Sequence, residues 1–328
     1  LANHIINEKI EFERNPLYWN DKETVINSAT FLAIENPSTD VARYRAGDLD
    51  MTSYALPPEQ FAKLQKELPG EVFTTRTLAT YSYELNNKKA PFDNVNIRKA
   101  LNLSLGRNVI TDKALGQGQT PTYVFTPTYI EEGHLIQQPA YSKEPMAQRN
   151  EEAIKLLEEA GYSKANPLKF TILYNTNENH KKVAIAAASM WKANTKGLID
   201  VKLEDQEWKT YIDSRRAGRY DAARAGWNAD YNQATTFGNY FLSNSSNNTA
   251  KYANPEYDKA IAESYVATDA EGRAKAYAKA EEILAKDFGI VPIFNYVNPR
   301  LVKPYVKGYS GKDPQDHIYL RNLYIIKH

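Results

Sequence analysis

Between Asn94 and Asn228, amphipathic helical segments take turns with short apolar strands, and this alternation limits the fold more than any other feature of the chain. The run NVNIRKALNLSL at 94–105 sets Val95, Ile97, Ala100, Leu101 and Leu105 at helical spacing. Further helices are expected at 107–115, at 147–160 with Ile154, Leu156 and Leu157 inward and Gly161 closing it, at 180–193 and at 209–216. Strands are expected at 168–174 (LKFTILY), 199–205 and 220–227. That order predicts an α/β lobe around a mostly parallel sheet, because parallel neighbours need crossover connections and helices supply them. In such sheets ligands gather beyond the carboxyl ends of the strands. The stretch at that place is Tyr220–Asn232, YDAARAGWNADYN.

Gly226 has no Cβ, so a second backbone can come close to it. Trp227, Asn228, Asp230 and Tyr231 follow. A carboxylate between a tryptophan and a tyrosine requires a partner if it is buried. Arg224 stands six residues before Asp230. The even separation puts both on one face only if the strand continues that far. Two readings stand side by side: an internal Arg–Asp pair at a strand end, or a cleft that offers one negative and one positive group to a zwitterion.

The flanks read as follows. Residues 1–35 hold two strand patterns, IINEKIEFERN and TVINSATFLAI, around a turn at Asn15-Pro16. A helix at 37–47 is capped by Ser38 or Thr39 and ended by Gly47, and a short strand follows at 48–51. A helix at 57–68 carries Phe61, Leu64 and Leu68 on one side, and a long strand runs over 71–86. Residues 116–146 are rich in Gly, Pro, Thr and Tyr and read as a long surface loop. Two helices fill 255–286, an apolar strand covers 290–298, and strand-like segments at 300–309 and 318–326 end the chain.

A length of 328 residues suits two lobes rather than one core. Lys and Arg number 41 against 40 Asp and Glu, a balance that argues against a nucleic-acid backbone as partner. No apolar run approaches the ~20 residues of a membrane span. There is no cysteine, so disulfides and Cys-based metal sites are excluded. His4, His134, His180, His317 and His328 show no metal-site spacing, and no GxSxG, phosphate-loop or dinucleotide fingerprint is present. The 23 tyrosines suit a wet, adaptable binding surface and ordinary strand surfaces alike. Leu1 is followed at once by a strand pattern, so the chain is expected to be part of a longer one.

Several short motifs, in order, carry a family likeness. Arg14-Asn15-Pro16-Leu17-Tyr18-Trp19, RYRAGDLD at 43–50 and NVNIRKALNLSLGR at 94–107 resemble the peptide- and nickel-type solute-binding proteins of ABC importers. QEWK at 206–209, Ala223–Asn232 and RLVKP at 300–304 narrow the resemblance to the periplasmic oligopeptide binders of Gram-negative bacteria. The likeness runs over the whole chain. It implies a periplasmic-binding-protein-like two-lobe α/β fold (class II, cluster C), here lacking the N-terminal part of lobe I and an extra small domain. Residues 1–78 and 298–328 would be partial lobe I and 79–297 the second lobe, with hinge crossings near 78–82 and 294–298.

By the same resemblance, Asp230 pairs with a peptide α-ammonium, and the backbone of Gly226, Trp227 and Asn228 takes up an extended peptide as an added strand. Trp208 and Trp227 wall side-chain pockets. Arg224, His180 and Arg215 meet the C-terminal carboxylate at different peptide lengths, and Asn247 and Tyr296 line the cleft. Read without the family, His180 is a surface histidine at a helix start, and Arg215 with Arg216 beside Asp213 is a solvated helix face. The chain departs from its relatives at Leu115, where they carry lysine, and at Ala79 and Asn228, where they carry a cysteine pair. The implied function is non-catalytic. It is delivery of oligopeptides, in the periplasm of a Gram-negative bacterium, to inner-membrane ABC permease subunits, by a monomer without cofactor or metal. Two readings compete: a binder of murein tripeptide or another non-standard peptide on the same fold, and a hydrolase using Asp or Glu with His. The Asp48/Asp50 pair is the feature that would suit glycosidase chemistry.

Overall fold

A computed structural model describes residues 1–53 and 55–328. The chain divides into two compact units, Leu1–Thr77 with Val297–His328, and Leu78–Tyr296.

The first unit opens with an antiparallel meander of β1 (Asn3–Ile5), β2 (Lys9–Glu13) and β3 (Ser28–Leu32). The run IINEKIEFERN is therefore a hairpin rather than one strand. It turns at Asn7, whose φ of 60° is a conformation asparagine tolerates better than most residues. Helix α1 (Pro37–Ala46) is capped by Asn36, which accepts from the N–H groups of Ser38 and Thr39. The cap thus precedes the expected Ser38 or Thr39, because Pro37 has no N–H to lose and takes the first helical position. Helix α2 (Pro58–Glu67) buries Phe61 and Leu64, which join Val41, Tyr44, Leu56 and Leu301 in the core of this unit. Asp50 accepts a hydrogen bond from the Tyr305 hydroxyl at 2.9 Å, so it serves to tie two segments together.

Strand β4 (Val72–Leu85) leads across the unit boundary. The second unit then runs through α3 (Val95–Leu103), a π-helix at Val109–Leu115, β5 (Thr120–Pro121), α4 (Met146–Glu159), β6 (Leu168–Asn175) and α5 (Glu178–Asn194). It continues through β7 (Ile199–Gln206), α6 (Trp208–Arg216), β8 (Ala222–Asn228), the short α7 (Thr235–Gly238), α8 (Pro255–Val266) and α9 (Ala270–Lys286). Strand β9 (Ile290–Leu301) leads back, and the two-residue strands β10 (Val306–Lys307) and β11 (Tyr324–Ile325) pair antiparallel. The strand-like patterns at 300–309 and 318–326 thus form little sheet.

The main sheet has the order β5-β9-β4-β8-β6-β7. Strands β7, β6 and β8 run parallel, whereas β8 with β4 and β5 with β9 are antiparallel. This corrects the expectation of a mostly parallel sheet. Helix–strand alternation reports the local crossovers through α5 and α6. It says nothing of β4, which reaches β8 only after most of the unit has intervened. The main core packs α3, α4 and α5 on this sheet through Ile97, Leu101, Leu157, Ala187 and Trp191.

Residues 116–146 are not a free surface loop. Arg107, fully buried, donates to the carbonyls of Asn102, Thr122 and Pro292, and its guanidinium lies 4.0 Å from the Tyr123 ring centre. Buried Glu281 accepts from the backbone of Phe125 and Thr126 and from the Thr126 hydroxyl. Two long-range polar anchors therefore hold a segment whose local composition signals only turns.

Candidate functional site

Strand β8 is small-residue rich because it lies between neighbours on both sides over its first part. Along its whole length it pairs with β4, from Leu85↔Ala222 to Ala79↔Asn228. On the other side it pairs with β6 only at Ala222 and Ala223. From Arg224 to Asn228 that second edge has no strand partner among the described residues. The Arg224 carbonyl accepts from the Tyr211 hydroxyl, so it points away from β4. Along a strand N–H and C=O groups switch sides at each residue. Gly226 and Asn228 therefore present theirs on the same open edge as Arg224. An edge with unused donors and acceptors is a template for another extended chain.

Four of the expected residues converge on Tyr81 of β4, which is buried. The Arg224 guanidinium donates to the Tyr296 hydroxyl and lies 5.2 Å from the Tyr81 ring centre. The Tyr296 and His180 rings lie 5.8 and 5.6 Å from that of Tyr81. A Cβ on Gly226 would stand 3.0 Å from both the Arg224 Nη2 and the Tyr296 hydroxyl, so glycine leaves room for their contact. Burial, and after it the Arg224 charge, hold the His180 imidazole well below its ordinary pKa. Burial and the arginine beside it both disfavour a proton on His180. The Tyr81 hydroxyl and Arg224 Nε are buried and have no hydrogen-bond partner among the described residues. Such groups are rare in folded proteins and ask for a ligand or solvent partner. Tyr81 was not singled out from the sequence, because it is one tyrosine among 23 and only the β4–β8 register brings it to the site.

Asp230 lies just past β8 and is exposed. Its backbone N–H donates to Thr236 Oγ1 and its Oδ2 accepts from that hydroxyl, each at 3.2 Å. Arg224 turns to the Tyr296 hydroxyl. Trp227 packs edge-on against Tyr240, centroids 4.9 Å apart. Asn228, the last residue of β8, is exposed, and Trp208, at the start of α6, is 55% exposed.

Two expected residues stand apart from this cluster. Arg215 is buried and pairs with Glu84 of β4 at 3.0 Å, while donating to the Tyr240 hydroxyl and to Thr249 Oγ1. The solvated-face reading of Arg215 is thus corrected, since α6 turns this residue inward to a buried carboxylate that needs a cation. Asn247 is exposed on the turn that leads to Thr249, and its backbone N–H donates to Ser245 Oγ. Leu115, at the end of the π-helix, belongs to the same apolar cluster as Tyr81.

Comparison with known proteins places the chain in a family. The model of the bacterial extracellular solute-binding proteins, family 5 Middle, matches residues 1–249. The periplasmic oligopeptide-binding protein OppA of Haemophilus influenzae is 96% identical over all 328 residues of the chain, which cover 61% of that relative. The crystal structure of Haemophilus influenzae OppA in complex with RPPGFSPFR matches with a TM-score of 0.95 at 95% identity, over 99% of this chain and 64% of that one. The periplasmic murein peptide-binding protein MppA of Escherichia coli is 42% identical over the whole chain and 60% of its own length. The chain thus spans about three fifths of the length of these relatives. With the family model matched over most of its length, the chain belongs to the bacterial extracellular solute-binding proteins of family 5.

Proposed function

We propose that this chain supplies the strand and the charged groups by which an oligopeptide-binding protein holds extended peptides. The observation that carries the reading is the open edge of β8 at Gly226 and Asn228, with Asp230 beyond one end and Arg224 at the other. Backbone pairing along Gly226 and Asn228 accepts any sequence, and wet side-chain pockets beside Trp208 and Trp227 tolerate many residues. Asp230 takes the peptide α-ammonium. Arg224, with His180 and Tyr296 beside it, takes the terminal carboxylate at the peptide lengths that reach it, and Asn247 lines the approach. Arg215 acts inside the fold, on Glu84.

The Haemophilus relative has been crystallised with a nonapeptide, which supports a peptide ligand for this chain. Residues 1–78 with 298–328 and residues 79–297 act as parts of two lobes. The protein works as a monomer in the periplasm of a Gram-negative bacterium, does not process its ligand, and passes it to an inner-membrane ABC permease. A murein tripeptide is the second reading, favoured by the 42% identity to MppA.

Calorimetry on the full-length polypeptide carrying this sequence tests the reading, with RPPGFSPFR, its N-acetylated form and murein tripeptide as ligands. Tight binding of the free nonapeptide with recovery of intact peptide is the expected result. Binding of murein tripeptide alone would favour the second reading, and cleavage of the nonapeptide would favour a hydrolase.

A further inference from the structure

The Thr236 side chain, 4% exposed in the first turn of α7, has its hydroxyl used to capacity. Trp227 Nε1 donates to Thr236 Oγ1 at 3.3 Å, and the Asp230 N–H donates to the same oxygen at 3.2 Å. The hydroxyl in turn donates to Asp230 Oδ2 at 3.2 Å. One proton and two lone pairs are all that a hydroxyl has, and these contacts fill them. One buried oxygen therefore joins the Trp227 ring to the backbone and the carboxylate of Asp230.

The surroundings hold that oxygen in place. The Ala229 N–H donates to the Leu78 carbonyl at 2.8 Å, and the Ala234 N–H to the Glu131 carbonyl at 3.0 Å. The side chain of Asn232 accepts from the Glu131 N–H at 3.2 Å. Trp227 is braced by the Tyr240 ring, and the Tyr240 hydroxyl donates to Glu84 at 2.6 Å beside Arg215. An exposed carboxylate is in this way tied, through Thr236, Trp227 and Tyr240, to a buried ion pair.

We infer that Thr236 is a positioning residue that orients the Asp230 carboxylate and the Trp227 ring, and thereby sets the selectivity for a free α-ammonium on the ligand. The inference rests on the reading of Asp230 as the ammonium partner. Its physical basis is preorganisation. A surface aspartate must give up rotamer freedom when it binds, and a side chain already fixed by a neighbour gives up less. The Thr236 hydroxyl does this fixing from both the backbone and the side chain of Asp230.

The test uses the full-length polypeptide and four proteins: wild type, Asp230→Ala, Thr236→Val and Thr236→Ser. The readout is the ratio of affinities for RPPGFSPFR and its N-acetylated form, with a melting curve for each protein. Valine keeps the shape of threonine and removes the hydroxyl, while serine keeps the hydroxyl. The expected result is a ratio about tenfold lower in Thr236→Val and within about threefold of wild type in Thr236→Ser. A folded Thr236→Val with the wild-type ratio, beside an Asp230→Ala whose ratio has collapsed, overturns the role of Thr236 and leaves Asp230 in place. A wild-type ratio in Asp230→Ala overturns the Asp230 reading and this inference with it. If the valine variant does not fold, Thr236→Ala removes the same hydroxyl with less bulk and is judged by the same ratio.

Discussion

Ala79 and Asn228 stand directly opposite each other on β4 and β8. Because Asn228 turns its own N–H and C=O to the open edge, the two residues form a non-hydrogen-bonded pair, the kind whose side chains lie closest. That separation falls within the range a disulfide spans. The double substitution Ala79→Cys with Asn228→Cys is expected to oxidise spontaneously and to stabilise the protein by about 2–4 kcal/mol, since the bond closes a long loop. Melting curves with and without reductant check this. Equal curves with the thiols still titratable would show that the register is wrong.

Removing the Asp230 carboxylate is expected to weaken peptide binding without loss of fold. Asp230 is exposed before ligand arrives, so the cost is that of a charge-assisted hydrogen bond rather than of a buried orphan charge. Asp230→Ala should lose about 1.5–3 kcal/mol of binding to RPPGFSPFR, roughly ten- to hundredfold in Kd. Calorimetry that finds the two proteins equal would make Asp230 a loop residue only.

Gly226→Ala separates the fold from the site. The added methyl would lie 3.0 Å from the Arg224 Nη2 and from the Tyr296 hydroxyl, both of them far ends of movable side chains. Crowding and the stiffer unfolded chain pull in opposite directions, so stability should stay within about 1 kcal/mol. The Arg224–Tyr296 contact should open and the methyl should stand on the binding edge. Affinity for RPPGFSPFR is expected to fall at least about tenfold. An unchanged Kd would mean that ligand does not approach β8.

The His180 imidazole is depressed well below its ordinary value, first by burial and then by Arg224. The sign follows from proton counts. Below about pH 6.5 the unfolded chain takes up a proton that the folded protein refuses, so stability is lost as pH falls through that value. The loss approaches about 1.4 kcal/mol per pH unit until the folded histidine protonates. His180→Gln should remove this part of the acid sensitivity as pH falls below about 6.5. Parallel melting-temperature profiles for the two proteins would count against it.

Leu115→Lys should trade stability for short-peptide binding. Leu115 is 4% exposed within the apolar cluster of the second unit, so an amine there meets desolvation. A ligand carboxylate would supply the missing anion. The melting temperature of the unliganded protein is expected to fall, while the gap between pentaalanine and trialanine affinity narrows by about 1–3 kcal/mol. An unchanged gap in calorimetry would place position 115 outside the carboxylate's reach.

Local chemistry alone determined α3, α4, α5, α6, α8 and α9 and the strands β6, β7 and β8 of the second unit. The apolar stripe of α3, the Pro255 start of α8 and the Gly161 turn after α4 are each signalled within a few residues. Composition and short motifs also pointed to the stretch around Gly226 and Asp230. Tertiary structure alone decided the direction of β4 against β8, because strand neighbours distant in sequence leave no periodic trace. It turned Arg215 inward, because its partner Glu84 lies on another strand. It brought Tyr81 beneath Arg224 and Thr236 beneath Asp230, because those contacts depend on register and on the path of the chain after β8. Residue type set which groups could act, while pairing across the sheet set which of them meet, since a hydrogen bond or a ring contact needs ångström-scale placement that no local pattern encodes.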